Sequence, residues 1–146
     1  MATVQSEALA ELYEQDETAW LEIMAQLCAR KQYADLDLVH LAQYLADTAR
    51  SERREVLSRL TVLMWHVLKW EHQPHMQTGS WAATIDQQRF ELRVLLESAT
   101  PMNHALQILA AAYATARKRA AKETGLKLGR FPKECPWHIE ELLADD

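Results

Sequence analysis

The sequence predicts a single all-α domain, and three observations carry that expectation. Val, Ile and Thr never gather into an alternating run that would read as a strand, whereas Ala, Leu, Glu, Gln, Arg and Lys, the better helix formers, dominate. All four prolines and all three glycines fall between positions 74 and 136, so no strong breaker interrupts the first half. Apolar residues recur at three- and four-residue spacing in several stretches, the repeat of a helix with one buried face.

The first predicted helix runs over about 16–31, with Asp16 as N-cap and Trp20, Ile23, Met24, Leu27 and Cys28 at helical spacing. A second covers about 37–49, capped by Asp37, with Leu38, Leu41, Ala42 and Leu45 as its stripe. Ser51 is read as the start of a third, to His72, whose Val56, Leu57, Leu60, Leu63, Met64, Val67 and Leu68 cover more than one face and predict a central position. The fourth spans about 80–98, with Trp81, Ile85, Leu92, Leu95 and Leu96 inward. Thr100-Pro101 reads as cap and first residue of the fifth, whose inward face is Met102, Leu106, Leu109, Tyr113, Ala116 and Ala120, and which Gly125 closes in a left-handed conformation. After an aperiodic stretch, Pro136 is expected to open a short last helix bearing Trp137, Ile139, Leu142 and Leu143. The expected architecture is a compact bundle of about five helices, closed by an irregular tail with aromatic residues and prolines and by that short helix.

The 146 residues suffice for one hydrophobic core, and 49% hydrophobic with 25% charged residues is ordinary globular composition. The longest apolar run of the most hydrophobic stretch, Val62–Trp65, stops at His66, far short of the roughly 20 residues a membrane span needs. With no leader pattern at Met1–Glu7, the expected compartment is the cytoplasm. Cys28 and Cys135 are too far apart for paired zinc-ligand spacing and are read as reduced thiols. A net charge of −5 gives no global attraction to nucleic acid or anionic lipid.

A series of short pieces, in one order and at consistent spacing, resembles the bacterial family known as domain of unknown function 29, common in cyanobacteria. They are Tyr13, Asp16 and Trp20; Ser51-Glu52-Arg53-Arg54; His66-Val67-Leu68-Lys69-Trp70 with Gln73-Pro74; Ser80-Trp81, Thr84-Ile85 and Gln88-Arg89; Tyr113, Ala114 and Arg117; Glu123-Thr124-Gly125-Leu126; and Phe131-Pro132 with Cys135-Pro136-Trp137. The resemblance covers about Tyr13 to Asp146. It implies an all-helical fold and no established activity, and it directs attention to His66, Lys69, Trp70, Trp81, Arg89, Glu123 and Cys135.

His66, Lys69, Arg89 and Glu123 come from three predicted helices and read either as a buried ion-pair lock or as an anionic-ligand pocket, the lock being favoured. His40, His66 and His104 lie on three helices and suggest a tri-histidine metal site, but no Glu-x-x-His pair accompanies them, and His66 reads better as a hydrogen-bonded core histidine. No metal or cofactor is expected. Cys135 before Pro136, with His138 three residues on, suggests a thiol activated at a helix N-cap; a buried or capping side chain that docks the tail is the stronger reading. Trp70, Trp81 and Trp137 are candidate aromatic contacts, and Trp65 and Trp70 cannot both face the side of Val67 and Leu68. Arg50, Arg53, Arg54 and Arg59, and Arg117, Lys118, Arg119 and Lys122, are basic enough to meet nucleic acid, although interleaved Glu52 and Glu55 suit a solvated face and nucleic-acid binding is not expected. The function expected is a non-catalytic helical interaction module, with a protein or a second copy as partner; the alternative is a small metal- or thiol-dependent enzyme with a pocket near the His66 group.

Overall fold

The computed structural model describes residues 2–145. It is a helical bundle of six helices with no strand among the described residues: α1 (Ala2–Gln15), α2 (Glu17–Ala29), α3 (Leu38–His72), α4 (Gly79–Leu95), α5 (Ala99–Thr124) and the short α6 (Ile139–Leu143). Single 3₁₀ turns stand at Tyr33–Asp35, Pro74–Met76 and Leu128–Arg130. No helix is long and apolar enough to cross a membrane among the described residues. The chain divides into two compact units, Met1–Arg50 and Ser51–Asp146, each with its own core.

Most of the expected helices are present, with three corrections. The segments expected at 37–49 and 51–72 form one helix of 35 residues. Ser51 does not interrupt it, because a single serine among strong helix formers costs only a few tenths of a kcal/mol and neither Gly nor Pro is near it. The sequence reading also missed α1, whose larger apolar side chains Leu9, Leu12 and Tyr13 gather in its second half and leave its first turns without a stripe. The last helix begins at Ile139 rather than at Pro136, with His138 as N-cap and its backbone N–H donating to Glu141 Oε1 at 3.1 Å.

In the first unit, Asp16 caps α2 by accepting from the Ala19 N–H at 3.0 Å. Trp20 is fully buried among Leu9 and Met24, with Tyr13 set edge-on to it at 4.8 Å between ring centroids. Asp37 accepts from Trp20 Nε1 at 3.2 Å, from the His40 backbone N–H at 3.3 Å and from His40 Nδ1 at 2.8 Å. One carboxylate thus caps α3 and satisfies the indole of the core.

In the second unit, Val56, Leu60, Leu63, Met64, Val67 and Leu68 of α3 meet Ile85 and Leu92 of α4. The inward face of α5 is Ala105, Ala112, Tyr113, Ala116 and Ala120. Leu106, expected on that face, is exposed instead, because the buried face is centred near Ala105, Ala112 and Ala116 and Leu106 lies about 100° around the helix from Ala105. Pro101 is the third residue of α5, where a backbone N–H has no helical acceptor to lose, and the cap is Ser98 rather than Thr100.

Gly125 closes α5 at φ +73°, and its N–H donates to the Ala121 carbonyl at 3.0 Å. A side chain there is strained although space is open around it. Gly125→Ala is therefore expected to lower stability by about 1 kcal/mol, measured by urea unfolding of the full chain, with no change in helix content.

Candidate functional site

The expected polar group separates into two places in the second unit. Lys69, buried on α3, sets its Nζ 2.9 Å from Glu123 Oε2 at the end of α5. The same carboxylate oxygen accepts from Trp65 Nε1 at 2.8 Å. The Lys69 ammonium also lies 4.5 Å from the centroid of the Trp81 ring and 5.6 Å from that of Trp65, while the Arg119 guanidinium stands 5.1 Å from the Trp65 ring. A buried ammonium is thus matched by one carboxylate and two indole faces, which is what a buried charge requires.

His66 shares this end of α3, yet its Nδ1 donates to the Val62 carbonyl one turn back at 2.8 Å, and its ring stacks at a tilt on Trp65. Burial, aided by the Lys69 charge, holds the imidazole below its ordinary pKa against the opposing pull of the Val62 carbonyl and Glu123. Its neutral form is the one present at pH 7.

Arg89 stands apart from this group. It is buried on α4 and donates from Nε to the Leu142 carbonyl of α6 at 2.9 Å. One turn on, Arg93 Nε donates to the Leu143 carbonyl at 2.8 Å and its Nη2 pairs with Asp145. Two arginines of α4 therefore hold the carbonyl end of α6, where a cation is favoured by the helix dipole.

Tail docking uses α3 and α5 as well. Tyr113 Oη donates to the Pro132 carbonyl at 2.6 Å, Arg117 Nη2 to the Phe131 carbonyl at 3.1 Å and Gln73 Nε2 to the Thr124 carbonyl at 3.4 Å. Phe131 is buried, with His72 against its ring at 4.8 Å. Trp137 meets Tyr113 edge-on at 5.9 Å, and Trp65 and Trp70 are both partly buried against the core, so neither stands free.

Cys135 precedes an extended stretch rather than capping α6, and it donates weakly from Sγ to the Trp137 carbonyl at 3.4 Å. Burial pushes its thiol pKa up, with only partial relief from hydrogen bonding to the Trp137 backbone, which opposes the activation that a nucleophile needs. Among the described residues no group of three or more His, Cys, Asp and Glu side chains is placed to hold a metal ion. His40, one of the three histidines considered for such a site, is bound to Asp37 in the first unit. Of the basic residues considered for nucleic acid, Arg50 pairs with Asp47 and Arg59 with Glu55, each at 2.9 Å.

Sequence reading missed the roles of Trp65 and Arg119 at the Lys69–Glu123 pair. No local signal could reveal them, because Trp65 and Glu123 are 58 positions apart. The polar side chains nearest the core thus hold helices to one another and the tail to the helices, and a helical protein with its charges so committed is the class that the geometry defines. The chain belongs to the family described as domain of unknown function DUF29, whose model matches residues 12–146. No curated protein matches it, and no solved structure does.

Partial burial raises the Glu123 pKa, but the hydrogen bonds from Lys69 and Trp65, and the charges of Lys69 and His66, outweigh it and leave the carboxyl below its ordinary value of 4.5. The folded value being the lower one, the stabilisation is complete above the ordinary carboxylate range and is lost as pH falls through the folded value. Glu123→Gln is expected to cost about 1 kcal/mol at pH 7, discounted for the partial exposure of the carboxylate. Chemical denaturation along a pH series should show this difference vanishing once wild-type Glu123 is protonated.

Proposed function

We propose that this protein is a non-catalytic, cytoplasmic interaction module that pairs with a second copy of itself through the first turns of α3. The observation that carries this reading is an uncovered apolar stripe in the first unit. Leu38 and Leu45 are 63% and 59% exposed, and Ala42 and Ala49 between and beyond them are exposed too. At 100° per residue these four fall within about 60° of one another around the helix, and Val39, 77% exposed, widens the apolar area.

The stripe fits a copy of itself. Its spacing of four, three and four residues is that of a helix-pairing seam. When two such helices run antiparallel about a two-fold axis, Leu38 of one copy meets Ala49 of the other and Ala42 meets Leu45. Each large side chain then faces a small one, the large-to-small alternation that close packing favours. The Leu41 and Tyr44 side chains are turned to the core of the first unit and are not needed for the contact.

The enzyme alternative draws less support. Around His66, Lys69 and Glu123, the ammonium and the carboxylate neutralise each other, the imidazole donates to a backbone carbonyl, and Arg89 serves α6. A thiol held above its ordinary pKa is a poor nucleophile at neutral pH.

Sedimentation velocity of the full chain over about 1 to 100 µM, the range in which a modest helix pair dissociates, should show the mass rising from one chain towards two. The Leu38→Glu, Leu45→Glu double variant should stay monomeric throughout with an unchanged circular dichroism spectrum. Both positions are exposed, and a glutamate at the first residue of a helix suits its dipole. A wild-type chain that remains monomeric, or a double variant that dimerises as well as wild type, would overturn the proposal.

A further inference from the structure

A cleft in the second unit gathers positive charge, and none of the residues that line it is acidic. His72 at the end of α3, Arg117 on α5, and Gly129, Arg130, Phe131, Pro132 and Lys133 of the tail line an open space of about 670 Å³. Among the described residues no carboxylate forms an ion pair with Arg117, Arg130 or Lys133. These cations are not the exposed helix charges that neighbouring acids usually balance.

Arg117 is the informative member. Its guanidinium is partly buried and gives one hydrogen bond, from Nη2 to the Phe131 carbonyl, while its Nε is buried with no hydrogen-bond partner. A guanidinium carries five N–H donors in a planar fork, and one taken from water is costly until an anion or several acceptors answer it. The Phe131 carbonyl both uses one donor and fixes the direction of the fork. With Nε buried and Nη2 on Phe131, the Nη1 side of the guanidinium makes no hydrogen bond among the described residues, and the planar Nη1/Nη2 edge can meet two oxygens of one phosphate, a geometry that an ammonium cannot offer.

The other groups suit the same ligand. Arg130 and Lys133 are exposed, flank the buried Phe131 in the tail and are free to close on an anion. The His72 ring is held by its Nδ1, which donates to the Leu68 carbonyl at 3.0 Å, and by the Phe131 ring, so that its orientation is set before any ligand arrives. The space exceeds that of a phosphate ion and accommodates a small phosphorylated compound.

We infer that the cleft between His72, Arg117 and the 129–133 turn is a binding site for a phosphorylated small molecule, with the Arg117 fork on the phosphate and Arg130 and Lys133 closing over it. This site is independent of self-pairing through α3 and of the Lys69–Glu123 pair.

The test is titration calorimetry of the full chain with inorganic pyrophosphate at fixed ionic strength, with a 12-nucleotide single-stranded DNA as the second probe. Saturable binding of pyrophosphate in the sub-millimolar range is expected. The Arg130→Ala, Lys133→Ala double variant should weaken it by about tenfold or more with an unchanged melting temperature, because neither side chain supports the fold. Arg117→Lys keeps the charge but not the fork, and should weaken binding by at least about threefold. Absence of saturable binding, equal affinity in the double variant, or an oligonucleotide bound about tenfold more tightly than pyrophosphate would each overturn the inference.

Discussion

An irregular stretch of backbone between two helices must find donors for its carbonyls, and much of the second unit is arranged around that need. Residues 126–138 contain one 3₁₀ turn and no long helix, yet Phe131 within them is buried, as are Ile139 and Leu142 just beyond. Apolar burial draws this segment inward, but buried peptide groups left without partners cancel the gain. Tyr113 and Arg117 answer within the stretch, at the Pro132 and Phe131 carbonyls, while at its two ends Gln73 donates to the Thr124 carbonyl of α5 and Arg89 and Arg93 donate to the Leu142 and Leu143 carbonyls of α6. Four of these five, all but Arg93, belong to the residues by which the chain resembles its family, which gives the pattern a structural cause without any reaction.

The Lys69–Glu123 pair applies the same logic between helices. Salt bridges that are buried on one side contribute little net stability over a well-packed apolar contact, but losing one partner leaves a charge stranded. Here the Trp65 N–H serves the carboxylate while the Trp65 and Trp81 ring faces serve the ammonium, so the pair is best satisfied in one alignment of α3 and α5. Alanine faces on α5 permit close approach but specify register poorly, since small side chains interdigitate at several offsets. A polar contact that favours one offset supplies what the alanines lack.

The sequence made the fold class legible because helix-forming composition and the late placement of Gly and Pro act locally. Asp16 as a cap and Gly125 as a left-handed terminator were readable for the same reason, each being one residue with one backbone duty. Boundaries that depend on the absence of a signal were not. Ser51 resembles a cap yet continues a helix, and Pro136 resembles a start but precedes the true cap by two residues. The candidate site was legible as a list of residues and not as a geometry. Helical periodicity sets which face a residue occupies, but not which distant residue meets that face, so Arg89 was grouped with Lys69 and Glu123 although it serves α6.

These contacts describe a second unit whose polar groups are spent largely on docking its own tail, with Arg117 in part unspent, and a first unit whose apolar stripe is left uncovered. Arg89 and its companions hold the tail to the helices. Hydrogen–deuterium exchange of wild type against Arg89→Met tests this directly. Faster exchange is expected to be confined to the amides of 139–143 and the adjoining tail, while the buried segments of α3 and α5 keep their protection. Unchanged protection of α6, or an equal loss across the whole second unit, would contradict it.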